Sequence, residues 1–185
     1  MYHIYFWDLS LNKHPWLCNK NQIDFRYGDY SKIKNNYLLE NYKRDALGQN
    51  IVKTIHVEAE WDPLDPVGES NWLLNYYNKV GFPNAIISQI WFAREDVENV
   101  LSLYVKNPLI RGVRQKPKVA SSSDTIIPNL KGSMSCPNFR NGYKFLNKYR
   151  FHFELQIPWW HLEEAADLAY DFPETYIILN HTGLP

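Results

Sequence analysis

An α/β fold built on a parallel sheet is what this sequence predicts, and three observations predict it. Runs of β-branched and aromatic residues alternate with amphipathic stretches along the chain. The linkers between them are mostly short, as the crossover loops of βαβ units are. Several strand-like runs begin apolar and close on an ionisable or amide group, the pattern of a parallel barrel whose chemistry lies at the carboxyl rim. The 185 residues suffice for one domain, 1–185, with a sizeable core, and are few for two.

"HIYFW" (3–7) reads as the first strand, and a long polar and aromatic segment follows it. "IVKTIHVEAE" (51–60) is the second strand, and "PVGESNWLLNYYNKVG" (66–81) a helix closed by Gly81. "AIISQIWF" (85–92) is the third strand, followed by a helix over "REDVENVLSLYVKN" (94–107). "IRGVRQ" (110–115) is a short fourth strand, "FRNGYKFLNKY" (139–149) a helix and "FHFELQIP" (151–158) the fifth strand. "WHLEEAADLAYDF" (160–172) is helical, and "YIILNH" (176–181) makes the sixth strand. The one long linker, 116–138, carries "SSSD" and "GSMSCPN" and is expected to be an active-site loop or else disordered.

Composition removes several function classes. Lys plus Arg (20) equals Asp plus Glu (20), so the basic excess that nucleic acid or an anionic membrane surface calls for is absent. No stretch approaches the ~20 apolar residues of a membrane span, and the N-terminus "MYHIYFWD" lacks the features of a signal peptide. Cys18 and Cys136 form no CxxC, so two free thiols in a reducing cytoplasm are expected. No strand is followed by a GxGxxG or Walker sequence, which leaves nucleotide binding unsupported. The many Trp, Tyr and Phe side chains fit either an aromatic core or a pocket walled by rings for a small polar ligand.

Strand side chains alternate faces, so parity says which polar residues travel together. His3, Tyr5 and Trp7 share a face, as do His56, Glu58 and Glu60. Gly112, Arg114 and Lys116 align on the fourth strand, and His152, Glu154 and Gln156 on the fifth. Gln156 lies nearer the strand's carboxyl end than His152 or Glu154 and is the better site candidate of the three. His181 closes the last strand. Each also has a plain structural reading, such as Arg114 pairing with the Glu58 carboxylate.

The segments "HIYFWD…HPWL", "VKTIHVEAEWDPLDPVGESNWL", "RGVRQKP", "GSMSCPNFRNGYKFL", "FELQIPWWHLEEAADLA" and "ILNHTGLP", in this order through nearly the whole chain, resemble the amidohydrolase-2 family. Its members are TIM-barrel proteins labelled metal-dependent hydrolases, with a branch acting on sugar lactones and dicarboxylate lactones. The resemblance implies a partial (β/α)8 TIM barrel of about six parallel strands, with the last two βα units absent and with them the eighth-strand Asp that serves as base or metal ligand. It also implies a metal site, Zn or Mn, on an HxH pair. Here His3 keeps the first position and Tyr5 stands in the second, a weak ligand beside imidazole, while Met1 stands where an Asp would precede them.

The chemistry so implied is water attack on the carbonyl of a small lactone or related cyclic ester. His181 would activate the water, and Arg114 would stabilise the oxyanion or a substrate carboxylate. Gln156 and Glu58 would contact hydroxyls, with Trp7 and Tyr5 as a wall. The alternative is a catalytically inactive remnant that binds a small molecule or a partner. An open barrel would leave strand edges free for self-association or for a companion chain.

Overall fold

Residues 2–19 and 28–184 are described in the computed structural model; they fall into two units, Met1–Gln89 and Ile90–Pro185. In the first, β1 (Tyr2–Ile4) interrupts its connection to the next strand with α1 (Pro15–Cys18) and α2 (Leu39–Asp45). There follow β2 (Thr54–Val57), α3 (Gly68–Val80) and β3 (Ala85–Gln89). β1 pairs in parallel with β2, and β2 with β3. The α3 crossover ends at Gly81 with φ 76°, a left-handed turn that costs glycine nothing. The Asn84 side chain then accepts the Thr54 N–H at 3.0 Å and joins the foot of β2 to that of β3. Beyond β1 the chain stays extended, and Trp7 exchanges both backbone hydrogen bonds with Tyr37 in an antiparallel bridge.

The second unit runs α4 (Val97–Tyr104), β4 (Ile110–Arg114), α5 (Pro137–Tyr143), α6 (Phe145–Tyr149), β5 (His152–Leu155), α7 (Leu162–Asp171) and β6 (Ile177–Leu179). β5 lies between β4 and β6, parallel to both. Phe153, Leu155 and Val113 are fully buried and occupy one face of these strands by parity. Phe92, Phe139, Tyr143 and Phe153 form a close ring cluster with centroids 4.8–5.5 Å apart in its tightest pairs. Burying one such ring contributes about 1.5–3 kcal/mol, with edge-on pairs adding about 0.5–1.5 kcal/mol. These four rings are core, whereas Trp159, Tyr170 and Tyr176 of the same unit are exposed.

The fold class is the expected one, α/β with six parallel strands and intervening helices in the manner of a partial (β/α)8 barrel. Several elements differ from the sequence reading, and β1, β3 and β5 each stop three residues early, at Ile4, Gln89 and Leu155. The helix over 139–149 is two helices, α5 and α6. The second strand stops at Val57, and Glu60 takes a left-handed φ of 57°. The last strand stops at Leu179: Asn180–Gly183 form a 3-10 turn in which His181 and Thr182 have φ of 50° and 51°, so Asn180 and His181 leave the sheet instead of ending it. No described helix is long and apolar enough to cross a membrane. Met1, read above as standing in place of an acid, lies outside the described residues.

Candidate functional site

In the first unit, His3, Tyr5 and Trp7 line one cleft of about 420 Å³, together with Lys32, Asn35, Asn36 and Tyr37. Alternation brings these three to a common side of β1 and its extension, and the Trp7–Tyr37 bridge supplies the opposite wall. Trp7 and Tyr37 rings lie 5.9 Å apart at 40°. Tyr37 donates to Asp45 at 2.9 Å; burial, then the Asp45 carboxylate, push its hydroxyl up to about 12.

Beneath this cleft's strand sits a buried polar network that sequence reasoning missed. The Phe6 N–H donates to His56 Nδ1 at 3.1 Å, so the single proton of a neutral His56 is on Nε2, which donates to Glu69 at 3.2 Å. Ala59 N–H donates to the same Glu69 oxygen at 2.8 Å. Next to it, His14 Nδ1–H and Trp16 Nε1–H both donate to the Ala59 carbonyl at 3.0 Å. Burial pushes His14 below the usual histidine value, and its Nε2 has no hydrogen-bond partner among the described residues. His14 and Glu69 were invisible as a pair because only the fold brings positions 14, 56 and 69 together. Glu58, a predicted contact, is buried and accepts the Glu60 N–H at 3.0 Å.

In the second unit, Arg114 is the register partner of Glu154, and Glu154 that of Ile178. Gly112, Arg114, His152 and Glu154 thus share the face opposite the ring cluster, while Gln156 lies just past the end of β5. His152 Nε2 stands 3.3 Å from Glu154 Oε1, and Asn180 Nδ2 donates to Glu154 Oε2 at 2.5 Å. The His152 ring lies where a Cβ at Gly112 would be. Arg114 and Glu154 are buried, Gln156 half-buried and His181 exposed. Arg114 closes β4, Gln156 lies just past β5, and His181 sits on the turn after β6. Glu154 and His152, set behind Gln156 in the sequence reading, form a polar group with Asn180; the signal was their shared parity.

The loop 116–138 follows β4 and is held by named bonds. Ala120 N–H donates to His161 Nε2 at 2.9 Å, and Trp160 Nε1–H to the Ala120 carbonyl at 3.1 Å. His161 Nδ1–H then donates to Glu164 at 2.8 Å, and Ser135 N–H to the other Glu164 oxygen at 2.6 Å. Burial opposes the Glu164 charge, yet the Ser135 and His161 donors outweigh it and hold the carboxyl below its ordinary value.

A metal on the first strand does not fit the donors present. His3 is followed two positions on by Tyr5, and among the described residues no group of three or more His, Cys, Asp or Glu side chains could hold a metal ion. A zinc site takes three or four such ligands.

A six-strand α/β frame with polar groups on the strand face opposite its aromatic core is the class of protein seen here. No family model matches the chain. It is 36% identical over 182 residues to the uncharacterized protein y4mH of Sinorhizobium fredii, matching 98% of this chain and 61% of that protein. An amidohydrolase from Burkholderia multivorans, solved with zinc bound, superposes with a TM-score of 0.69 at 16% identity, over 100% of this chain and 57% of that one. A probable 2-pyrone-4,6-dicarboxylic acid hydrolase from Acinetobacter baumannii, with citric acid bound, gives 0.58 at 12% identity, over 98% and 57%. The chain has the fold of the amidohydrolase-2 family. It spans about six-tenths of the length of the relatives it matches.

Proposed function

We propose that the chain is an amidohydrolase-2 protein whose activity is hydrolysis of a small lactone or related cyclic ester. The observation that carries the reading is the polar face of the second unit, where Arg114 stands in register with Glu154, and His152 and Asn180 come to the same carboxylate. The fold's likeness to a probable 2-pyrone-4,6-dicarboxylic acid hydrolase supports the substrate class. In the proposed reaction water adds to the carbonyl carbon, the ring C–O bond breaks, and the proton from water passes to the departing ring oxygen, giving a hydroxy acid. His181, exposed on the turn after β6, takes that proton and returns it. Arg114 stabilises the developing oxyanion or a substrate carboxylate with its fork of donors. Gln156 binds a hydroxyl. No step runs through a metal, because the donor set does not fit one.

The test is a panel of sugar and pyrone lactones with purified chain, with and without added Zn²⁺ or Mn²⁺. Ring opening is expected, and His181→Asn, an exposed change, should lower kcat/KM by about 10²- to 10⁴-fold at unchanged melting temperature. No turnover of any lactone sinks the enzyme reading. The second reading, a small-molecule-binding module without turnover, is favoured by Tyr5 in the HxH position; it predicts ligand-dependent stabilisation with no product.

A further inference from the structure

The second unit has a cleft of about 260 Å³ at the amino-terminal ends of β4 and β5, with Asn107, Arg111, Tyr149 and Arg150 in its lining. It lies at the opposite strand end from Arg114, which closes β4. By parity Arg111 shares the face of Val113, not that of Arg114. A volume below the ~300–1,000 Å³ of ordinary ligand pockets suits a compact head group.

Charge decides which head group. Among the described residues lining the cleft none is Asp or Glu. Arg111 donates from Nη1 to the Pro108 and Ile110 carbonyls at 2.6 and 3.0 Å, which holds its guanidinium in place. Its Nε and Nη2 have no partner among the described residues, nor has the exposed Arg150 side chain. The helices α4 and α6 also end here, and bare terminal carbonyls would favour a cation. Those carbonyls are occupied: Leu101 accepts the Val105 N–H, Tyr104 the Asn107 N–H, and Leu146 and Asn147 the Arg150 N–H. Two full positive charges therefore outweigh what remains of about half a negative charge at each helix end. Arg150 itself has φ of 56°, a left-handed turn that glycine takes without strain and that does not call for an arginine.

We propose that this cleft binds the phosphate group of a small ligand, with Arg111 and Arg150 as two forks on one tetrahedral dianion. A phosphate has oxygens and charge enough for two guanidinium groups, whereas a carboxylate fills a single fork. The inference goes beyond the hydrolase reading and stands without it.

The probes are inorganic phosphate, phenyl phosphate and acetate, titrated into the ¹⁵N-labelled full chain with chloride holding the ionic strength constant. Phosphate should shift the Arg111 and Arg150 backbone amides saturably, with a dissociation constant of about 1–10 mM. Acetate should bind about 5-fold or more weakly. Arg150→Gly and Arg150→Asn both suit the left-handed turn and should fold normally; each should weaken phosphate about 5-fold or more. Phenyl phosphate binding tighter than phosphate marks an ester as the ligand, and equal or weaker binding marks the free ion; either upholds the site. Shifts centred on Arg114 and Asn180, acetate equal to phosphate, no saturation, or indifference to both Arg150 changes overturns it. Phosphate binding without lactone opening upholds the site and removes the enzyme reading; lactone opening without phosphate binding does the reverse.

Discussion

Gly112 shows how one missing atom organises the polar face of the second unit. The His152 ring occupies the space a Cβ there would take and so comes within 3.3 Å of Glu154. Gly112→Ala should push the ring off the carboxylate and destabilise the protein by about 1–3 kcal/mol in urea unfolding. The double change Gly112→Ala with His152→Ala should recover most of that loss, since the clash is with the ring alone. Tyr37 carries a second expectation at this scale. Its hydroxyl is raised to about 12, by burial and then by Asp45, whereas an unfolded tyrosine titrates near 10. The folded state therefore prefers the neutral form; its contribution is complete below pH ~10 and is lost as pH rises through ~12. Buried Tyr143 is pushed up as well, so ultraviolet titration should show late phenols, with one fewer in Tyr37→Phe.

At the scale of elements, α7 and the 3-10 turn before it act as the clamp for the loop 116–138. Two short residues of sequence, His161 and Glu164, catch the loop at Ala120 and Ser135. Glu164 is held below the usual carboxylate range, so its ionised form contributes stability above pH ~4.5 that is lost as pH falls through the lowered value. Hydrogen exchange at Ala120 and Ser135 should quicken in Glu164→Gln with the core strand β5 unaffected. Equal protection in variant and wild type would mean the loop is held elsewhere. The loop was legible in the sequence as a long linker. Its clamp was not, since nothing local ties position 120 to position 161.

At the scale of the molecule, β6 carries exposed apolar side chains, Ile178 at 43% and Leu179 at 39%, with Tyr176 before them at 82%. A strand with such a surface invites pairing with another polypeptide. Concentration-dependent self-association at micromolar protein is the expected outcome in light scattering, and Ile178→Lys should reduce it. A monodisperse monomer across that range would contradict it.

By itself the sequence determined the βα alternation, the shared side of His3, Tyr5 and Trp7, and the shared parity of His152 and Glu154. These follow from apolar periodicity and from the two-residue repeat of a strand, which are local properties. Only the tertiary structure decided that Asn180 joins Glu154 while His181 turns out on a left-handed backbone, and that His14, His56 and Glu69 form one buried network. Those outcomes depend on strand register and on burial. A buried polar group must find a partner wherever the packed chain supplies one, and no local pattern says which distant residue that will be.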